Sequence, residues 1–300
     1  MKLRQAAPRQ GALWVRNGFR VFFRKPVAFA MLFASFLFAG LVFMLLPYVG
    51  GILLLMALPL ATLGFMLGTQ AALKGNSPTV AVFWQPLRVD KGRRLALLKL
   101  GLVYAASTVV ILWLADLVDA GKFDALQELM SNSKTPAEEI QKRLLDPQLQ
   151  AGLAVRLGLA SLLSLPFWHA PALIHWGAQG WAKAMFFSTV ACWRNKGAFA
   201  IYGLVWIGVV LLFAALANTV FVAMGAPRLV TAAAMPAGLM FSTVFYASLF
   251  FSFVDCFEPE SGPATPSDSS ITPLDAIAPS PAPAPSPSPS PSPEPKKDEF

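Results

Sequence analysis

The sequence predicts an all-α, polytopic membrane protein with six transmembrane helices in three hairpins and with interfacial amphipathic helices. Of its 300 residues 56% are hydrophobic and only 13% are charged, and the mean hydropathy is +0.57. These values lie far from those of soluble proteins and exclude a soluble monomer. Apolar runs long enough to cross a bilayer recur along the chain, and cation-rich segments alternate with them.

The first predicted segment, residues 1–26, carries seven cations and no acid. Within it, residues 11–25 place aromatic side chains among Arg16 and Arg20 at roughly helical spacing. This pattern is typical of an interfacial helix with its aromatic side in lipid and its basic side in water. The apolar run that follows exceeds the core of a signal peptide, so we expect it to stay as an anchor.

The six predicted spans form a transmembrane domain over residues 27–254. Their expected bounds are about 27–46, 52–73, 95–118, 157–176, 198–224 and 229–254. The long polar connection at 119–156 holds Thr135-Pro136-Ala137-Glu138, which has the form of a capping box with proline at the first helical position. We therefore expect a short helix from Pro136 to about Leu145 within this loop.

Charge predicts the orientation of the spans. The cation-rich stretches 1–26, 74–94 and 177–197 lie on one side of the six spans. By the positive-inside rule that side is cytoplasmic, which places both termini in the cytoplasm and the 119–156 loop outside. The same cations form a predicted basic collar that faces anionic lipid. Its members are Arg16, Arg20, Arg24, Lys25, Arg93, Arg94, Arg194 and Lys196.

A tail rich in proline and serine is predicted for residues 255–300. It ends in the repeat PSPAPAPSPSPSPSPEP before KKDEF, and such a run forms neither a helix nor a core. We expect a disordered cytoplasmic spacer. The alternative is a docking segment for a protein partner through residues 258–300.

Three prolines interrupt the returning spans at corresponding places: Pro59, Pro166 and Pro236. Together with the recurring aromatic and basic corners before each outgoing span, they suggest a threefold pattern. Interrupted helices at equivalent positions of repeats can line a substrate path. Prolines are also tolerated in membrane helices for structural reasons alone.

The candidate polar site is a cluster of His169 with Tyr104 and Tyr246, which fall at similar depth from the inner ends of their spans. One hypothesis is that His169 binds a ligand or relays a proton. The alternative is a neutral histidine that donates to a backbone carbonyl freed by Pro166 or Pro171.

Signatures of soluble enzymes and of metal sites are absent from the sequence. There is no Walker A, G-x-G-x-x-G, G-x-S-x-G or H-E-x-x-H motif, and the spacing His169-x5-His175 does not aim two ligands at one metal. We expect no cofactor, no metal and no catalytic residue. The cations lie beside membrane spans, so we also expect no nucleic-acid partner.

Two stretches resemble known proteins. They are Trp14-x3-Gly18-x3-Phe22-Phe23-Arg24-Lys25-Pro26, and Ala170-Pro171-Ala172-Leu173 followed by residues 181–195. Over about residues 11–255 the chain resembles an uncharacterised family of proteobacterial six-helix inner-membrane proteins, and more distantly the membrane domains attached to some glycerophosphodiester phosphodiesterases. The resemblance implies six spans in the bacterial inner membrane and supplies no activity.

The predicted function is therefore non-catalytic support or regulation of envelope components by an integral cytoplasmic-membrane protein that contacts the bilayer and its anionic lipids. The alternative is a small-molecule or lipid transporter with a midspan site near His169. A third, weaker hypothesis is a membrane-embedded enzyme that uses His169 and a tyrosine.

Overall fold

The computed structural model describes residues 1–131, 135–226 and 228–258. The described elements are β1 (Lys2–Leu3), α1 (Gln10–Arg24), α2 (Pro26–Met44), α3 (Gly50–Leu73), α4 (Lys91–Asp119), α5 (Lys122–Ser131), α6 (Ala137–Leu144), α7 (Pro147–Phe167), α8 (Ala170–Gly177), α9 (Trp181–Arg194), α10 (Lys196–Ala223), α11 (Arg228–Cys256) and β2 (Phe257–Glu258), with two 3-10 turns at Val80–Phe83 and Gln85–Arg88. The Pro-rich tail predicted for 255–300 falls outside the described residues from 259 onward.

Six segments among the described residues are long and apolar enough to span a bilayer. They are α2, α3, α4, the consecutive pair α7 and α8, α10, and residues 232–256 of α11. The partners of each predicted hairpin, α2 with α3, α4 with α7, and α10 with α11, contact each other. The all-α, six-span fold is confirmed.

The fourth span begins ten residues before its predicted start. α7 starts at Pro147 rather than near 157, because Asp146 caps it by accepting hydrogen bonds from the backbone N–H groups of Gln148 (2.9 Å) and Leu149 (3.2 Å). The polar loop is correspondingly shorter and contains the helices α5 and α6. The expected helix from Pro136 to about Leu145 is present as Ala137–Leu144.

Helix α1 does not lie with its aromatic face in lipid, which corrects the expectation for residues 11–25. Trp14 is 1% exposed and packs against α10 and α11. The close approach depends on two glycines of the same helix face. A Cβ on Gly11 would lie 2.0 Å from the carbonyl oxygen of Ala198, and one on Gly18 would lie 2.9 Å from that of Val244. α1 is therefore an integral helix of the bundle.

The two described chain ends meet in a short antiparallel ladder. β1 pairs with β2 so that Leu3 is opposite Phe257, and the side chain of Asn195 accepts from the N–H of Ala6 (2.6 Å) and donates to the carbonyl of Arg4 (3.2 Å). Residues 255–258 thus belong to the fold and not to a tail. We call this end of the bundle, with α1, the 3-10 turns, α8 and α9, the terminal face, and the end with α5 and α6 the loop face.

Of the three prolines that were predicted to interrupt helices, only Pro166 lies near a break. α3 continues through Pro59 and α11 continues through Pro236, so these two residues do not interrupt their helices. Membrane helices tolerate proline where neighbouring turns remain hydrogen-bonded. The helical path breaks only near Pro166, at Trp168 and His169, between α7 and α8.

Candidate functional site

The predicted cluster of His169 with Tyr104 and Tyr246 can be compared with the described contacts. The His169 ring is fully buried among Phe199, Phe253 and Phe257, with centroid separations of 6.0, 5.9 and 5.4 Å. Within the described part of the chain, His169 forms no ring contact or hydrogen bond with either tyrosine. The prediction used depth in the membrane alone, and the break before α8 turns His169 toward α10 and the end of α11.

The two tyrosines pack elsewhere in the bundle. Tyr104 lies edge-on to Phe167 at 5.0 Å, and Tyr246 stacks on Phe65 at 5.0 Å. Tyr246 also lines a cavity of about 390 Å³ beside Trp206 and Ser242, and His169 is not among the residues that line it. A transport site centred on His169 therefore remains a prediction from sequence.

Both ring nitrogens of His169 lack a hydrogen-bond partner among the described residues. The expected donation to a carbonyl freed by Pro166 or Pro171 is not among the described hydrogen bonds. An imidazole enclosed by three aromatic rings is kept neutral by the cost of burying its charge. In this geometry His169 acts as an aromatic packing residue at the start of α8.

The break between α7 and α8 is bridged by a residue of α9. The Ser188 hydroxyl donates to the carbonyl of Leu165 (2.7 Å) and accepts from the backbone N–H of His169 (2.9 Å). These two backbone groups are four residues apart and would otherwise bond each other, so Ser188 inserts into the helical ladder. The bend thus has a specific cause, a hydroxyl supplied by another helix.

Cys192 of α9 supports the same carbonyl. Its Sγ lies 3.7 Å from the oxygen of Leu165, and burial raises the pKa of the thiol to about 12. The group therefore stays protonated and can donate weakly at neutral pH. This role requires a reduced cysteine, which agrees with the two free cysteines of the chain, Cys192 and Cys256.

We expect Ser188→Ala to destabilise the protein by about 1–3 kcal/mol, because the N–H of His169 and the carbonyl of Leu165 would lose their shared partner in a buried site. Thermal unfolding in detergent measures the effect. Ser161→Ala is the matched control, since Ser161 is exposed and its hydroxyl donates to the carbonyl of Leu157 in its own helix. Equal stability of the two variants would contradict the bridging role.

Polar residues of α11 form hydrogen bonds with neighbouring parts of the bundle. Ser248 shares a hydrogen bond with the hydroxyl of Tyr202 (2.7 Å), and Ser252 accepts from the indole N–H of Trp168 (3.3 Å). The indole N–H of Trp14 donates to the Asp255 carboxylate (2.7 Å). These bonds join α1, α10 and the break between α7 and α8 to α11 at the terminal face.

The loop face holds an ion cluster that sequence reasoning missed. Arg156 of α7 pairs with Asp116 and Asp119 at the end of α4, and its guanidinium lies 4.2 Å from the centroid of the Phe123 ring. Asp119 is fully buried. Two aspartates three residues apart at the end of an apolar run could have indicated an ion pair. The predicted start of the fourth span at about 157 placed Arg156 in the loop, so it was not considered as their partner.

A second ion pair at the loop face makes the start of α7 sensitive to acid. The pKa of the Asp146 carboxyl is held below its ordinary value. The larger cause is the hydrogen bond from the Lys122 ammonium, 2.7 Å away, and the next is the hydrogen bond from the N–H of Leu149. A carboxyl with a lowered pKa stabilises the fold above its unfolded pKa, which is about 3.9, and loses that contribution as the pH falls through its folded pKa.

We therefore expect amide protection at Gln148 and Leu149 to stay constant from pH 7 to about 4 and to fall below that. Hydrogen exchange, corrected for intrinsic rates, measures it. Asp146→Asn keeps a capping oxygen without a titrating group, so its protection should not change with pH. Loss of wild-type protection already between pH 7 and 5 would contradict this account.

At the terminal face, exposed aromatic residues lie beside cations at the beginning of the outgoing spans. Phe23 precedes Arg24 and Lys25 before α2 and is 62% exposed; Trp193, 69% exposed, precedes Arg194 and Lys196 before α10. The Lys196 ammonium lies 5.6 Å from the Trp193 ring centroid. Trp84, 44% exposed, lies in the 3-10 turns that lead to α4.

Of the predicted basic collar, most members are exposed at this face, and Arg20, Lys25 and Arg93 are half-buried. Arg93 is partly engaged inside the protein. It donates to the carbonyl of His175 (2.9 Å) and pairs with Asp90 (3.0 Å). It therefore fixes the start of α4 against the end of α8.

Comparisons with known proteins agree with this architecture. A probable inner membrane protein of Burkholderia thailandensis is 30% identical over 264 residues, which cover 86% of this chain and 94% of that protein. No family model matches the chain, and no solved structure matches it. The more distant resemblance to membrane domains of glycerophosphodiester phosphodiesterases stays a prediction. With this identity over nearly the whole of both proteins, the chain belongs to the family of this inner membrane protein and is itself a multi-pass inner-membrane protein.

Proposed function

We propose that the protein is a non-catalytic component of the inner membrane whose terminal face is cytoplasmic and holds anionic lipid at the membrane surface, in support of other envelope components. The observation that carries the proposal is the repeated pairing of exposed aromatic residues with cations where the outgoing spans begin. Aromatic rings prefer the headgroup level of a bilayer, and neighbouring cations attract anionic headgroups.

The positions of the cations support an external partner. Lys25, Arg94 and Lys196 lie at the N-terminal ends of α2, α4 and α10, where the helix dipole disfavours positive charge. These ends carry no acidic residue in the first turn. The cations therefore do not stabilise their own helices, and a negatively charged surface outside the protein accounts for them.

We expect the double variant Arg94→Gln with Arg194→Gln to retain less anionic phospholipid than the wild type when the protein is extracted with its native lipid in polymer discs. Each cation near the surface contributes about 1 kcal/mol to the attraction of anionic lipid. The lipid is quantified by mass spectrometry as the ratio of anionic to zwitterionic species. The difference should shrink when the extraction is repeated at high salt.

The matched control removes two exposed cations from the loop face, Lys142→Gln with Arg143→Gln. Both belong to α6, outside the proposed lipid-binding surface, so the lipid ratio should equal that of the wild type. A terminal-face variant with wild-type lipid composition would overturn the proposal.

A further inference from the structure

A cavity of about 590 Å³ opens at the terminal face where α1 passes into α2. One side is formed by Arg24, Lys25 and the first turn of α2, and the other by residues 77–80, which lead from α3 into the first 3-10 turn. The volume lies within the range of small-molecule sites, roughly 300–1,000 Å³.

Most of the exposed lining of this cavity is apolar, and the polar side chains among its lining residues suit an anion. Its lining carries two cations, Arg24 and Lys25, and the hydroxyls of Ser77 and Thr79, with no acidic residue among its lining residues. The backbone N–H groups of Val27 and Ala28 belong to the first turn of α2, where no intrahelical acceptor exists for them. A phosphate group matches this set of donors and charges.

The remaining lining is apolar and leads into the membrane. Met31 and Leu32 line the cavity on α2. A second cavity, about 190 Å³ in volume, lies between α2 and α3 further along the bilayer normal and is lined by Phe36, Gly40, Leu60 and Trp84 among others. Val80 lines both cavities, so the first cavity and the apolar groove are adjacent.

A largely apolar cavity that carries cations and hydroxyls and adjoins an apolar groove fits an amphipathic anion better than a free one. A soluble phosphate compound would use the first cavity and leave the groove empty. A phospholipid of the surrounding leaflet can use both, because its phosphate is covalently joined to acyl chains. The bilayer supplies such lipids at high local concentration.

We propose that this paired cavity binds one anionic glycerophospholipid, with its phosphate between Lys25 and Thr79 and an acyl chain in the groove between α2 and α3. The proposal deepens the proposed function, since it rests on contact between the terminal face and anionic lipid. It differs in predicting one stoichiometric site in place of a diffuse surface.

Titration of the detergent-solubilised full-length protein with phosphatidylglycerol, followed by native mass spectrometry, tests the site. We expect one lipid to bind more tightly than all later ones. Lys25→Gln should weaken this first binding step about fivefold, and Thr79→Val about threefold through loss of one hydrogen bond. Arg143→Gln, which removes an exposed cation of α6 at the loop face, should change it less than twofold.

A substitution in the apolar groove tests whether the site binds a lipid or a soluble anion. Gly40 faces the groove with Leu54 as its nearest neighbour at 3.4 Å from an added Cβ, so Gly40→Phe fills the groove. It should weaken phosphatidylglycerol binding while binding of glycerol phosphate, which has no acyl chain, stays unchanged. Unchanged lipid affinity in Gly40→Phe, with an unaltered melting temperature, would overturn the groove assignment.

The outcomes also separate this inference from the proposed function. If the first lipid binds equally well to the wild type, Lys25→Gln and Thr79→Val, the site is wrong, whatever the lipid ratio of Arg94→Gln with Arg194→Gln. Tight binding of glycerol phosphate without any gain from acyl chains would assign the pocket to a soluble phosphate compound, and this too would overturn the lipid site.

Discussion

Replacing Arg156 by methionine is expected to destabilise the protein by about 3–5 kcal/mol. Arg156 pairs with Asp116 and Asp119, and Asp119 is fully buried. Removal of one partner of a buried ion pair leaves the other charge unpaired in the protein interior, away from water. The free-energy cost of that buried charge exceeds the loss of the attraction between the partners. Thermal or steric-trap unfolding in detergent measures the effect.

The charge argument for Arg156 has two controls. Arg143→Met removes an exposed cation of α6 and should change the stability by less than about 0.5 kcal/mol. Adding Asp119→Asn to Arg156→Met removes the buried negative charge and should recover part of the loss. A single Arg156→Met variant as stable as Arg143→Met would show that the cluster does not hold α4 to α7.

Trp14→Ala should be nearly as destabilising, at about 3–5 kcal/mol. Trp14 is 1% exposed, lies 5.3 Å from Phe199 and 5.9 Å from Tyr202 between ring centroids, and bonds to Asp255. The substitution creates a cavity and leaves a partly buried carboxylate without its indole donor. Thermal unfolding and limited proteolysis of the N-terminal segment both report the loss.

The control for Trp14 is a tryptophan of the membrane surface. Trp193 is 69% exposed, so Trp193→Ala should cost less than about 1 kcal/mol. Trp14→Phe keeps most of the ring packing and should cost about 1 kcal/mol through the lost hydrogen bond. If Trp14→Ala and Trp193→Ala were equally stable, α1 would lie in the lipid interface, as its sequence pattern predicts.

The contrast between Trp14 and Trp193 shows what hydropathy can and cannot predict. Both residues lie in segments with aromatic and basic faces, and both patterns predict an interfacial helix. The apolar face of α1 is buried by α10 and α11 because Gly11 and Gly18 permit backbone contact. The pattern of one segment does not reveal whether protein or lipid covers its apolar face.

The six spans were predictable because each follows from a local property, a run of apolar residues of membrane length. The break at His169 was not, because it depends on Ser188, a residue of another helix. The start of the fourth span was missed for a similar reason. Arg156 was placed in the polar loop, whereas its charge is satisfied by partners on α4.

The predicted cluster of His169, Tyr104 and Tyr246 was derived from depth in the membrane alone. Depth gives one coordinate, and the direction of each side chain around its helix is set by packing. The exposure of most collar cations was more accessible to prediction, because cations beside span ends report a property of the whole surface and need no exact neighbours. Their contact with anionic lipid stays a prediction. The proposed lipid site at Lys25 depends on both kinds of information. The charge of Lys25 was visible in the sequence, whereas the position of residues 77–80 beside α2 came only from the structure.

The orientation of the terminal face tests the central claim most directly. Cysteine is introduced at Gln5 or at Ser131, both exposed, in a chain with Cys192 and Cys256 replaced by serine or alanine as stability permits. Spheroplasts are treated with a membrane-impermeant maleimide. We expect labelling of Ser131→Cys in intact spheroplasts and of Gln5→Cys only after lysis. Labelling of Gln5→Cys from outside, with Ser131→Cys protected, would place the basic face outside the cytoplasm and contradict the account.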